Sequence, residues 1–176
     1  KCSGDEIKGL TKDELKAPAH GECHGFKPGD TIEVHWVYSS CDTAPGEGLE
    51  SCTLCENHKL RVEAQAFLVV NNSSAMKFGD FAYAGNKNAK GLHQTKDLPA
   101  GTGTPVVFLG STTGPDYTEN ACSPKQVTWS VRPSCAKIDI NSLDEWCKNN
   151  PFKKDNHAHG ARAIVKTLEL LAPISK

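Results

Sequence analysis

"TIEVHWVYSSC", residues 31–41, alternates from its first residue. Successive side chains of a strand point to opposite faces, so Ile32, Val34, Trp36 and Tyr38 share one side. Thr31, Glu33, His35, Val37 and Ser39 share the other. The first face is built for a core. The second carries a carboxylate and an imidazole two residues apart. An isolated Glu-x-His on a strand reads as a wet sheet face, so its neighbours must decide whether it lines a site.

Working outward, "KLRVEAQAFLVV" (59–70) alternates in the same way, with Leu60, Val62, Ala64, Ala66, Leu68 and Val70 on one face. "PVVFLGS" (105–111) and "QVTWSVRP" (126–133, closed by Pro133) read as two shorter strands, and "MKFGDFAYAG" (76–85) as a further short one. "FKPGD" (26–30) is a turn that feeds the opening strand. Residues 41–58 and 86–104 read as loop. Thr11-Lys12-Asp13-Glu14 has the form of a capping box and predicts a short helix from about residue 12 to Lys16, stopped by Pro18. Ser142-Leu143-Asp144-Glu145 predicts a second helix running toward Cys147. "HAHGARAIVKTLELLAP" (157–173) has the apolar spacing of a third. Strands in the middle and helices at the ends imply a sheet-dominated α+β fold, one domain over residues 1–176.

The chain has 176 residues and a formal net charge of −1 from 20 basic and 21 acidic side chains. No basic run marks a nucleic-acid footprint, and the apolar stretches fall far short of a membrane span. The eight cysteines, an even number scattered among loops, read as a disulfide framework whose pairing spacing does not define. They point to an oxidising compartment: secreted, periplasmic or cell surface. The first residue is Lys1 and no apolar leader follows it, as expected of a processed product or an excerpt. Asn71-Asn72-Ser73-Ser74 holds two overlapping glycosylation sequons, usable in a eukaryotic secretory route.

Three motifs occur in order: Glu33-x-His35-x-Val37, "LGSTTGP" (109–115) and "QVTWSV" (126–131). Together they resemble the active-site strands of the alpha-class carbonic anhydrases. Over the longer phrases "KPGDTIEVHWVYSSCD", "PGEGL", "FLGSTTGP", "SPKQVTWSVRPSCAK", "INSLDEWC" and "DNHAHG", the chain is more similar to the delta class, across nearly all of residues 20–172. The resemblance implies a central twisted, mostly antiparallel sheet with short peripheral helices. It implies Zn2+, or another divalent ion, bound by His35 with Glu33 as the carboxylate partner of its ring. It implies an apolar carbon dioxide pocket walled by Val37, Val62 and Trp129. It implies that Thr112 or Thr113 supplies the hydroxyl that orients zinc-bound hydroxide, and that the reaction is the reversible hydration of carbon dioxide to bicarbonate. Each wall residue also has a plainer reading, since a strand valine or tryptophan is more often core than pocket.

The chain departs from both classes at one point. They carry two further zinc histidines in a His-x-His strand ahead of Glu-x-His, and nothing before His35 has that form; His20 and His24 are four apart in a Gly/Pro-rich loop. The chain then reads as the C-terminal portion of such a domain. The missing ligands come from a companion N-terminal chain or an upstream segment, or the scaffold has lost its metal site and serves as a non-catalytic binding or structural domain. His157-Ala158-His159 is the one His-x-His present. Both rings could hold a metal from an extended segment, but on a helix they diverge by about 200°. Cys52-x-x-Cys55 with His58 is a rival structural zinc motif, lacking a second Cys pair. Gly-x-Ser-x-Gly, a phosphate-cradling glycine loop and His-Glu-x-x-His do not occur. His24 and His93 are candidates for moving the product proton.

Overall fold

A computed structural model describes residues 2–19, 21–42, 53–112, 121, 123 and 125–152. Its elements are α1 (Gly4–Lys8), β1 (Thr31–Ser39), β2 (Leu60–Val70), β3 (Val106–Ser111), β4 (Gln126–Val131), β5 (Ala136–Asp139) and α2 (Ile140–Asn149), with a 3-10 turn at Phe78–Asp80. The strands form one mixed sheet in the order β1-β2-β4-β3, and β5 joins it on β2. The antiparallel ladders β1–β2 and β3–β4 span nine and six residue pairs. The parallel ladders β2–β4 and β2–β5 span five and four.

β2 organises the sheet. β1 runs along one of its edges; β4 and β5 share the other, one after the next. Leu60–Ala64 pair with β4 and Phe67–Val70 with β5. The chain leaves the ladder between them, around Pro133, which lacks the amide proton a ladder needs. Gln65 fills the break. Its side-chain amide donates to the carbonyls of Ser134 and Ala66, both at 2.7 Å. A strand paired on both edges and covered on both faces must be apolar or internally satisfied, and β2 is buried along nearly its whole length.

The back face carries the main core. Trp36 and Phe67 meet Phe78, Phe81, Ile140 and Leu143 there, and the Trp36 indole donates to the Phe81 carbonyl at 2.9 Å. Glu63 also points to this face and is neutralised by Arg132 at 2.9 Å. On the front face, Leu68 and Val70 are covered by Cys2 and Leu10 of the N-terminal segment. That cover is stapled by the Cys2–Cys135 disulfide. Cys23–Cys147 ties the loop before β1 to α2, and Cys41–Cys55 closes a short loop.

The four longest strands lie where alternation puts them. β5 escapes the sequence reading because its four residues are too few to show a period. Residues 76–85 form no strand: Met76 makes a single bridge to Ile138, and the chain then turns through Phe78–Asp80. The Thr11–Glu14 capping box forms, with Glu14 accepting from the Thr11 amide at 2.9 Å, but it closes only a turn. Pro18 leaves too few residues to propagate a helix. The first helix lies earlier, capped reciprocally by Ser3 and Glu6. α2 begins two residues before Ser142, with Asp139 as its cap. The helix expected at 157–173 lies outside the described residues.

Candidate functional site

Strand register brings the candidate residues together. Val37 pairs with Val62, Val62 with Trp129, and Trp129 with Phe108, so one row of side chains crosses four strands on the front face. The adjacent row is His35, Ala64, Val131 and Val106. Trp129 lies two strands from β1, about 10 Å at ~4.8 Å per strand. Its indole nonetheless reaches the His35 ring, edge to face, with centroids 5.2 Å apart. Ala64 leaves room for this, because the residue beneath the crossing has no side chain beyond Cβ.

Three neighbours hold the indole. Phe108 stacks on it at 6.4 Å, and its Nε1 donates to the Ser111 carbonyl at 3.1 Å. Gly110 lies under it: a Cβ there would stand 2.9 Å from the ring's Cδ1. Phe108 was not among the expected wall residues, although alternation in "VVFLGS" places it with Val106 on this face. Leu60, Val62 and Val127 form the buried floor beside Trp129.

His35 and Glu33 stand at the rim of this wall. His35 Nε2 is 3.3 Å from Glu33 Oε2, and both side chains are partly exposed. The hydrogen bond from the imidazole holds the Glu33 carboxyl below its ordinary 4.5, against the opposing effect of burial. With Nε2 turned to the carboxylate, Nδ1 is the nitrogen left to face a ligand. A carboxylate on one ring nitrogen fixes the tautomer and raises the basicity of the other, as in metal-bound histidines.

The front face here is unusual for a surface. Val37 is 40 % exposed and Phe108 38 %, so an apolar wall lies open beside a titratable pair. β1 also stands at the end of the strand order, with β2 as its ladder partner among the described residues. An edge strand can present amides and carbonyls to another strand.

Thr112 lies farther off. It follows β3, is buried, and exchanges a 2.6 Å hydrogen bond with the Ser123 hydroxyl. Alternation keeps it on the front face, two pleats beyond Phe108 and three strands from β1, so it is not beside His35. Thr113, His157, His159 and Cys52 lie outside the described residues. Cys55 is bonded to Cys41, which removes it as a zinc thiolate and leaves the Cys52/Cys55 motif without one of its ligands. His93 bonds to the Tyr83 hydroxyl at 2.6 Å.

A catalytic zinc takes three protein ligands and one open position. Among the described residues, no group of three His, Cys, Asp or Glu side chains could hold a metal. His35 offers a correctly dressed imidazole, but one donor is not a zinc site, and the described residues by themselves do not fit the ion. A family model described as Delta carbonic anhydrase matches residues 1–142. Searches among curated proteins and among solved structures found no match to the chain.

Proposed function

The chain belongs to the delta carbonic anhydrase family, and on that premise we propose that it serves the reversible hydration of carbon dioxide to bicarbonate, with zinc or a similar divalent ion at His35. One observation carries the reading: Val37, Val62 and Trp129 meet on a single face at the foot of the His35–Glu33 pair. Carbon dioxide has no dipole and no hydrogen to donate. An apolar wall beside a polar centre is the surface that would collect it.

In this proposal His35 donates Nδ1 and Glu33 orients the ring through Nε2. Two more donors must come from outside the described residues. The edge position of β1 favours a strand carrying His-x-His, from an upstream segment or a companion chain, because a strand added there would present alternate side chains to the front face next to His35. His157 and His159 are the other source within the sequence. The hydroxyl that orients the attacking oxygen is assigned to Thr112 or Thr113; Thr112 lies just past the end of β3, bonded to Ser123, and Thr113 lies outside the described residues. The three disulfides among the described residues fit an oxidising compartment, and secretion is the corresponding part of the proposal.

The test combines three measurements on the same material: intact mass with peptide mapping, metal content, and the rate of carbon dioxide hydration. A unit that includes a His-x-His strand is expected to hold about one zinc and to hydrate carbon dioxide. His35→Ala is expected to lose both properties. A unit that includes that strand yet binds no metal and is inactive would overturn the reading, in favour of a non-catalytic domain on the same scaffold.

A further inference from the structure

The turn after β2 holds the two overlapping sequons, Asn71-Asn72-Ser73 and Asn72-Ser73-Ser74. The structure treats the two asparagines differently. Asn71 has spent its amide. Nδ2 donates to the carbonyls of Lys16 at 3.1 Å and Ala17 at 3.3 Å, and Oδ1 accepts from Asn141 at 3.0 Å. Its backbone amide also donates to the Glu14 carbonyl at 2.8 Å. Asn71 thereby pins the segment before β1 and α2 to the end of β2.

Asn72 is freer. Its Oδ1 accepts from the Ser74 amide at 2.9 Å, a local turn. Nδ2 makes one long contact, 3.4 Å, to Glu14 Oε1, an oxygen already bound by Lys137 at 2.6 Å. Ser73 and Ser74 are exposed. A shallow polar hollow of about 650 Å³ borders both asparagines, and its lining also includes Thr11, Asp13, Ser73 and Lys137.

We propose that Asn72, and not Asn71, is the residue that carries an N-linked glycan when the chain passes through a eukaryotic secretory route. In the transfer, the amide nitrogen attacks the anomeric carbon of a lipid-linked oligosaccharide pyrophosphate. The new N–C bond replaces the C–O bond to the pyrophosphate, which leaves, and the amide gives up one proton. One N–H remains. That is enough for Asn72, which uses a single contact. At Asn71 it would strip the donor from one of two carbonyls and force a sugar into the seam with Asn141. The hollow borders both asparagines, so the hydrogen bonds at Asn71, and not the hollow, decide between them. The inference is independent of the catalytic reading.

The experiment is to secrete the chain from a eukaryotic cell line, release glycans enzymatically in heavy-oxygen water, and locate the labelled aspartate by peptide mapping. The label is expected at position 72. Asn72→Gln and Ser74→Ala are expected to secrete without a glycan, and Ser73→Ala, which destroys only the Asn71 sequon and leaves Asn71 in place, to keep it. A label at 71 in the secreted protein, loss of the glycan in Ser73→Ala, or a wild-type chain secreted without any glycan would each overturn the proposal.

Discussion

At the scale of single residues, the consequential fact about His35 is which nitrogen is occupied. Glu33 Oε2 faces Nε2, so the pair sets the ring's tautomer before any ligand arrives. Glu33→Gln keeps the shape and removes the charge. In a unit with a complete donor set, it is expected to weaken zinc binding about 10–100-fold, as outer-shell partners of metal histidines do. A competition titration against a chelator reads this directly; unchanged affinity would separate Glu33 from the metal. Glu14 makes a sharper pH prediction away from the site. Lys137 Nζ on its carboxylate, then the Thr11 amide, hold it at about 2 instead of 4.5. Its folded pKa is depressed, so its contribution to stability is fully present above pH 4.5 and is lost as pH falls toward 2. Glu14→Gln is expected to cost about 1–2 kcal/mol at neutral pH, Lys137 being partly solvated. Urea midpoints measured through that acid range should fall less steeply for the variant than for the parent.

At the scale of elements, the wall depends on how β3 and β4 meet. Trp129 can lie flat between Phe108 and the Ser111 carbonyl because Gly110 has no side chain to hold it off. Gly110→Ala puts a Cβ 2.9 Å from the indole, and the ring or strand must shift. The expected cost is about 1–3 kcal/mol from overpacking, with a changed near-ultraviolet dichroism of Trp129 and, in an active unit, hydration reduced roughly 10–100-fold. A variant with parental dichroism and stability would show that the glycine is incidental. Much of this was legible in the sequence. Period-two alternation located β1, β2, β3 and β4, and the order of Glu-x-His, "GSTTGP" and "VTWSV" pointed to the front face. What alternation could not supply was the pairing order. That β4 lies parallel to β2, with β5 continuing along the same edge, depends on contacts far apart in sequence. The reach of Trp129 across Ala64 depends on them too. Capping signals misled for a related reason. Thr11–Glu14 and Ser142–Glu145 have the right letters, but Pro18 truncates the first, and Asp139 at the end of β5 captures the start of the second helix.

At the scale of the whole molecule, the sheet is dressed unevenly, and the disulfides explain how the dressing stays on. The back face of β1, β2 and β5 is closed by the turn at Phe78–Asp80 and by α2, while the upper front face is closed by the N-terminal segment. Those covers are short. α1 has five residues and α2 ten, too few to hold by helix propensity alone. Two of the three cross-links among the described residues fall on these covers: Cys2–Cys135 spans 133 residues and Cys23–Cys147 spans 124. Cross-links that close loops so long remove much of the unfolded chain's freedom, on the order of 4–5 kcal/mol in the loop-entropy account. Cys41–Cys55 spans 14 and constrains less. Replacing both members of Cys23–Cys147 by serine is therefore expected to cost about 2–5 kcal/mol, and replacing both members of Cys41–Cys55 less than that. Urea unfolding of the two double variants gives the comparison. Equal midpoints would mean that the long cross-links do not hold the covers. The lower front face, with His35 and its apolar wall, has no such cover among the described residues, and it is the face the proposed donor strand would close.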